Sequence, residues 1–567
     1  MKPTLQAGAS AKTAAAAPKR TPRALPQALL ICLFASAASL ASFFWYYSRG
    51  DTLLYGDAVA HLNIARRIFD SLTPGFRQLG TVWLPLPHAL IAPFVVNDWM
   101  WHSGVGGSIV SMLAYVAATL GIFRLVRSAL SKPHIRQQLA IGGAWLAALA
   151  FALNPNLLYL QTTAMTEPLY LALSVWALIW LQDFVNGIRS NDMQPGRALV
   201  LSGVCLCAGE MTRYDGWFAA GFFTVSAAAI WIARHRSRPM LRPFVLFLVI
   251  VAAAPVFWFG YNWSLSGNPL DFATGPYSAR AIELQSAHGA GPLHPGDHDL
   301  KLAAYYFVRT TAANLGQIRI RYLLLLLAAA GTVVTIRVSR AWLLLLLWVP
   351  LPFYIYSIAY GHVPIFMPEL FPWSYYNVRY GTALLPAVVV GCAVLAGIVA
   401  SRFRQRLARA ATFAVMGIFF AATYASAYFI PHHRGWSFPG EPAAGPITWR
   451  EAKVNAVTRI ALEEQLARVL TSIPRDSTVL MYCGAHVGAL QRAEFPLRQV
   501  INESNWRRWN SALLAPAYMT NYVVAMVGDP VAQAVALHPE HLTPITVIDT
   551  PGQPRTTVYL SEVHFTR

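Results

Sequence analysis

The sequence predicts an all-α polytopic membrane protein of about eleven transmembrane helices, with a small extracytoplasmic α/β domain at its C-terminal end. Three observations predict it. Of 567 residues, 56% are hydrophobic and only 12% charged, against roughly a quarter charged in an ordinary soluble protein. A mean hydropathy of +0.43 leaves too little polar surface to cover several separate soluble cores. Apolar runs near the ~20 residues that cross a bilayer recur through residues 25–430, after which the composition changes abruptly. A soluble multidomain enzyme is excluded, and the net charge of +19 becomes a question of membrane orientation.

The runs lie at about 25–47, 103–126, 138–155, 166–185, 198–212, 216–233, 243–265, 321–336, 341–360, 381–400 and 410–430. The first follows a basic tail, residues 1–24, with Lys2, Lys12, Lys19, Arg20 and Arg23. It resembles a signal peptide in charge, but it is too long and ends in the interfacial aromatics Phe43, Phe44, Trp45, Tyr46 and Tyr47, as an anchor does. The connections that follow alternate. Short basic ones run from Arg124 to Arg136, Arg189 to Arg197, Arg234 to Arg242, Arg337 to Arg340 and Arg402 to Arg409. Longer ones, at 48–102, 154–165, 266–320, 361–380 and from 431 onward, together with a tight turn near 213–215, carry nearly all the acids. By the positive-inside rule the basic set is cytoplasmic. It holds 21 of the 44 Lys and Arg with only Asp183 and Asp192, so 21 − 2 accounts for the whole surplus of +19. The expected topology is a multi-pass protein of the cell inner membrane, N-terminus cytoplasmic and C-terminus outside, with no nucleic-acid partner.

Residues 431–567 mix helical stretches with β-rich runs at 478–482, 522–526, 545–548 and 556–560, the pattern of a small α/β domain. Residues 447–472 form an amphipathic helix, with Ile447, Val454, Val457, Ile460, Leu462, Leu466 and Leu470 mostly on one side. It is expected to rest on the outer membrane surface. The five cysteines, Cys32, Cys205, Cys207, Cys392 and Cys483, form neither a disulfide framework nor a zinc spacing.

Polar groups gather at the outer ends of the spans. In Tyr55-Gly-Asp57-Ala-Val-Ala-His61, Asp57 and His61 stand four residues apart on one helical face. A carboxylate at a lipid–water boundary is partly desolvated, which raises its basicity toward what activation of a hydroxyl acceptor needs. The alternative is an acid favoured by the helix dipole. Pro85 and Pro87 argue against a regular helix beside His88, and His61, His88 and His102 are candidates to meet at a metal. Thr166-Glu167-Pro168 opens a span, so Glu167 is either a first-turn helical acid or a second carboxylate at the level of Asp57, sharing a base, orienting or metal-binding role. The turn Arg213-Tyr214-Asp215 places charge where it is costly, either as a local pair or as a functional group. Arg379-Tyr380 opens a later span, and a guanidinium there suits a phosphate oxygen or snorkels to the interface. Asn262 begins the external stretch 266–320, whose length marks it as a candidate lid.

The ordered set Gly56-Asp57, short helices over 57–90, Thr166-Glu167-Pro168, Gly267-Asn268-Pro269, Arg379-Tyr380 and an external C-terminal domain resembles the GT-C integral-membrane glycosyltransferases. The likeness is to the branch of protein O-mannosyltransferases and lipid A aminoarabinose transferases. The resemblance covers the membrane part, 25–430. It implies a polyprenyl-phosphate sugar as donor, a lipid, glycan or protein as acceptor, inverting transfer, and Asp57 as the catalytic base. Arg213, Asp215, Arg379, Tyr380, His61 and Asn262 become substrate-binding candidates, the arginines toward the donor phosphate. Many relatives carry a second acid directly after the first-loop Asp. Here Ala58 stands there, so a divalent cation, Mg or Mn, would depend on Asp57 with Glu167 or His61. A transporter or lipid flippase is the rival reading; it predicts polar groups at mid-membrane and repeated bundles.

Overall fold

The computed structural model describes residues 24–133, 135–190, 195–233, 240–286, 293–339, 341–431 and 437–563. The basic tail, the run Arg234–Arg238, Arg340 and Asp192 lie outside them. Helix α1 (Ala24–Tyr47) leads into a first loop holding α2 (Gly56–Arg67), α3 (Pro85–Ile91) and α4 (Asp98–His102). There follow α5 (Val105–Leu130), α6 (Gln137–Ala152), a one-turn-and-a-half α7 (Pro155–Leu160), α8 (Glu167–Ser190), α9 (Pro195–Glu210), α10 (Tyr214–Ala233) and α11 (Leu241–Ser266). The next loop contains α12 (Asp271–Thr274), α13 (Ala279–Ser286) and α14 (Leu300–Ala313), before α15 (Ile320–Ser339), α16 (Pro350–Tyr360), α17 (Leu385–Arg402) and α18 (Arg406–Phe429).

Among the described residues, nine helical segments are long and apolar enough to cross a membrane. The other two expected spans are α6 and α9, each of 16 residues. At ~1.5 Å per residue they are shorter than a straight bilayer crossing. The segment Val378–Arg402 is the hub, 89% buried, whereas Pro26–Tyr47 and Leu241–Ser266 are 22% buried and expose their apolar sides outward. The hub meets α15 backbone to backbone. A Cβ on Gly331 would lie 2.0 Å from the Gly391 carbonyl oxygen, and one on Gly391 would lie 2.3 Å from that of Ala328. Small residues permit this approach, and close packing drives helix association in lipid, where water supplies no hydrophobic force.

Three sequence expectations need correction. Pro85 and Pro87 do not prevent a helix; they fall in the first turn of α3, where a missing N–H costs nothing. The stretch 266–320 is not one long irregular loop. Its α14 buries Tyr306, Phe307, Thr310 and Thr311 and packs on α16; the part 287–292 lies outside the described residues. The amphipathic helix, α19 (Ile447–Ser472), has its inner face covered by protein. Thr448 bonds Asn156 at the start of α7, and Leu462, Leu466 and Leu470 join the core under the C-terminal sheet.

That sheet is formed by β1 (Val479–Met481), β2 (Val500–Ile501), β3 (Tyr522–Met526), β4 (Leu542–Ile548) and β5 (Thr556–Ser561), in the order β2-β1-β3-β5-β4. β2, β1 and β3 are parallel, and β5 and β4 continue antiparallel. Four strands were expected; β2, two residues long, carries no periodicity to read. β3 is buried throughout at the centre, and β4, an edge strand, accommodates Pro544. Helices α20 (Gly488–Arg492), α21 (Trp506–Leu514), α22 (Pro516–Met519) and α23 (Pro530–Leu537) connect the strands.

The α15–α17 contact gives a stability prediction. Gly391→Ala should destabilise the protein by ~1–3 kcal/mol through overpacking, read as a lowered unfolding temperature in detergent. An unchanged temperature would refute the close approach.

Candidate active site

The beginnings of α2, α8, α10 and the segment Val378–Arg402 converge on one side of the helix bundle. Each contributes a charged residue there for a local reason. Asp57 stands in the first turn of α2, where the helix dipole favours an acid. Glu167 opens α8 in the same way. Arg213 and Asp215 flank the tight α9–α10 turn, whose backbone closes through Gly216 N to Arg213 O at 3.0 Å. Arg379 lies in a 3-10 turn, Val378–Leu384, entered through Asn377 in left-handed conformation, a backbone state that Asn tolerates.

These residues form a chain of alternating charge. Arg379 donates from Nη2 to Asp57 Oδ2 at 2.6 Å and from Nε to Glu167 Oε1 at 3.2 Å. Arg213 donates from Nη1 to the same Glu167 oxygen at 3.1 Å, from Nε to Asp215 Oδ1 at 3.1 Å, and from Nη2 to the Tyr354 hydroxyl at 3.0 Å. The Tyr354 hydroxyl donates in turn to Asp215 Oδ2 at 2.9 Å. The Tyr380 ring lies 5.1 Å from the Arg213 guanidinium and 5.0 Å from that of Arg379, and Tyr55 flanks Arg379 at 5.2 Å. Both cations are thus held by carboxylates and aromatic faces, a stronger arrangement in a buried setting than at a surface.

A further carboxylate was not identified from the sequence. Glu451, on α19, accepts from Val378 N at 3.1 Å and from the Tyr55 hydroxyl at 2.8 Å, and its Oε1 lies 3.7 Å from Arg379 Nη1. Burial raises its carboxyl above the ordinary range, while Arg379 opposes the rise. A signal existed: Glu451 is four residues after Ile447 and three before Val454, on the face assigned to burial.

His61 and His88 meet, with Nδ1 and Nε2 2.9 Å apart. Burial pushes His61 down to about 4, with Asp57 and Glu167 acting against it, and holds His88 well below the usual histidine range. Both rings are neutral at pH 7. His102 does not join them; it lies 3.5 Å from Glu494. Asn262 is not part of the cluster either. Its amide donates to Trp258 O within α11 at 2.9 Å, and the residue does not line the cavity described next.

The expected metal set does not fit. Among the described residues no group of three His, Cys, Asp or Glu side chains is arranged to hold an ion. Asp57 and Glu167 are bridged by the Arg379 guanidinium instead, and His61 is engaged with His88.

The cluster opens into a cavity of about 2170 Å³ lined by Asp57, His61, Arg213, Asp215, Arg379 and Tyr380, among others, with a far wall from the C-terminal elements. Exposure divides the carboxylates. The Asp57 side chain is 34% exposed, against 5% for Glu167, 2% for Asp215 and 1% for Glu451.

No protein-family model and no curated protein matches the chain. Solved structures do. ArnT from Cupriavidus metallidurans bound to undecaprenyl phosphate aligns with a TM-score of 0.53 at 11% identity, covering 94% of this chain and 98% of that one. Its apo state gives 0.52 at the same identity and coverage. An oligosaccharyltransferase of Archaeoglobus fulgidus tethered to an acceptor peptide aligns more loosely, at 0.42 and 12% identity over 94% of this chain and 74% of that one. The chain therefore shares its overall fold with ArnT, the fold expected from the resemblance.

Two outcomes are expected. Arg379→Met should cost about 3–5 kcal/mol, because it leaves Glu451 buried without its cation and Glu167 with Arg213 alone; a variant as stable as the parent protein in detergent would contradict the clamp. The depressed His61 means that the unfolded chain takes up a proton between pH 6.5 and about 4 that the folded one refuses. Stability present above pH 6.5 should fall as the pH drops toward 4, and His61→Gln should reduce that slope in denaturation curves recorded across the window.

Proposed function

We propose that this protein is a membrane glycosyltransferase. On this reading it moves a sugar from a polyprenyl-phosphate donor to an acceptor at the outer face of the cytoplasmic membrane, with inversion at the anomeric carbon. The observation that carries the reading is the exposure of Asp57: held by Arg379, it is the one carboxylate of the cluster's four whose side chain is more than 5% exposed, and it lines the cavity. A general base must reach the proton it removes. ArnT, whose fold this chain shares, binds undecaprenyl phosphate in its solved structure, which supports a lipid-phosphate donor. The alternation of basic and acidic loops supports a cytoplasmic N-terminus and an external site.

The mechanism follows from the ion pair. The acceptor hydroxyl gives its proton to Asp57 as its oxygen attacks the anomeric carbon, and the bond to the donor phosphate breaks with its electrons passing to the phosphate oxygen. Before reaction Arg379 is neutralised by Asp57, Glu167 and Glu451. Once Asp57 is protonated, part of that compensation disappears just as negative charge grows on the leaving phosphate. Arg379, still facing Glu167 and Glu451, then presents less compensated positive charge when the transition state needs it, without moving. Arg213 is tied to Glu167, Asp215 and Tyr354, and it fixes Glu167 rather than meeting the phosphate first. The polar groups sit at one end of the helices instead of mid-membrane, which favours transfer chemistry over the transporter reading.

Asp57→Asn keeps the shape and removes the base. It should lower sugar transfer from a polyprenyl-phosphate donor by about 10²–10⁴-fold with expression and thermal stability retained. Transfer at the parental rate would reject the assignment.

A further inference from the structure

The cavity wall carries eight arginines and six carboxylates. Arg213, Arg379 and Arg459 are paired with acids beside them. Arg67, Arg77, Arg280, Arg507 and Arg508 make no carboxylate ion pair among the described residues, although all five line the same space. Arg67 is partly buried, with its Nε shielded from solvent and without a hydrogen-bond partner; the other four are exposed. Two of the wall acids have other partners. Glu283 is held by His294 and His362, and Glu503 accepts from Cys483 N at 2.9 Å while feeling Arg67 as its main opposing charge, so Arg67 is partly compensated and the four exposed arginines are not.

The origin of these arginines is what distinguishes them. None belongs to a membrane-spanning segment. Arg67 ends α2, about 15 Å along that helix from Asp57 at its usual rise. Arg77 follows in the first external loop, Arg280 lies on α13, and Arg507 and Arg508 open α21 beside the C-terminal sheet. Trp506, at the head of α21, lines the cavity and is 63% exposed. Its φ of 34° is a state that a bulky residue holds only when its surroundings impose it. The imposing contacts are visible: Asn505 and Asn502 close a capping box, and Asn505 Nδ2 donates to Thr73 Oγ1 at 3.0 Å. The corner is thereby bolted to the first external loop, and it presents an aromatic face between unpaired guanidinium groups.

We propose that the outer half of the cavity is the acceptor site, and that the acceptor is a glycan bearing phosphate or carboxylate groups, bound by Arg67, Arg77, Arg280, Arg507 and Arg508 with a sugar ring against Trp506. Planar guanidinium forks match oxyanions, and an exposed indole offers an apolar face with a polar edge. A lipid-linked donor arrives from the bilayer, at the level where the arginines are already neutralised. A ligand gripped by α21 arrives from the aqueous side. The C-terminal domain thus completes the site.

This inference rests on the transferase reading, but its test does not use transfer. Full-length protein in detergent is titrated with a maltooligosaccharide carrying a terminal phosphate, with the same sugar lacking it, and with undecaprenyl phosphate. The phosphorylated sugar should bind about tenfold tighter than the plain one, and rising salt should erode the difference. Arg280→Gln/Arg507→Gln/Arg508→Gln, all exposed positions where substitution leaves the fold intact, should erase the preference and leave undecaprenyl phosphate binding unchanged. Trp506→Ala should weaken both sugars. Equal binding of the two sugars by the parent protein would overturn the proposal. So would a matching loss of undecaprenyl phosphate binding in the triple variant, which would assign these arginines to the donor. If Asp57→Asn still transfers sugar while the phosphate preference stands, the base assignment fails and the acceptor site does not.

Discussion

One guanidinium holds the site together. Arg379 is buried at the entry to the most enclosed helix of the bundle, and it reaches carboxylates on three elements that are distant in the chain: Asp57 on α2, Glu167 on α8 and Glu451 on α19. A buried charge without partners costs several kcal/mol, so the outer loop, the membrane helices and the C-terminal helix are each constrained to where they meet it. The position of α2 over the bundle, and of α19 across the α7 and Val378–Leu384 turns, follows from this constraint as much as from apolar packing.

The same pairing divides the cavity into two electrostatic levels. At the membrane level, positive charge is matched by acids and stacked on Tyr55 and Tyr380, so it responds to what happens at Asp57. Farther out, arginines stand without acid partners on loops and on α21. A cavity that is compensated at one end and cationic at the other orients an asymmetric pair of ligands before any specific contact forms, since focusing of the field in a low-dielectric cleft acts over its whole length.

Much of the architecture was legible because a bilayer imposes simple rules. Span length and the β-rich run Tyr522–Met526 are local properties, and each found its counterpart in the structure. Asp57, Glu167, Arg213, Asp215, Arg379 and Tyr380 stood out because charge at a span end is costly, and the structure does bring them together. Their pairing was not legible. Whether Arg379 meets a phosphate or a carboxylate depends on residues 212 and 322 positions away, and no local pattern encodes that. Glu451 looked like part of a surface helix because the hydroxyl that receives it, on Tyr55, lies 396 residues earlier. Asn262 and His102 misled for the converse reason: polar residues near a span end often bond locally, as the Asn262 amide nitrogen does to the Trp258 carbonyl.

The contact between Glu451 and Arg379 also sets an order of events during synthesis. Asp57 and Glu167 leave the ribosome well before Arg379, and Glu451 follows 72 residues after it. Through most of translation Asp57 lacks its cation and Glu167 has only Arg213, made 46 residues after it, and for a further interval Arg379 lacks its most buried acid. The membrane helices can therefore insert and pack long before the charged centre closes, and the closing step belongs to a segment made near the end. Quality control that senses uncompensated charge in a nascent membrane protein would register this chain as unfinished until α19 has docked.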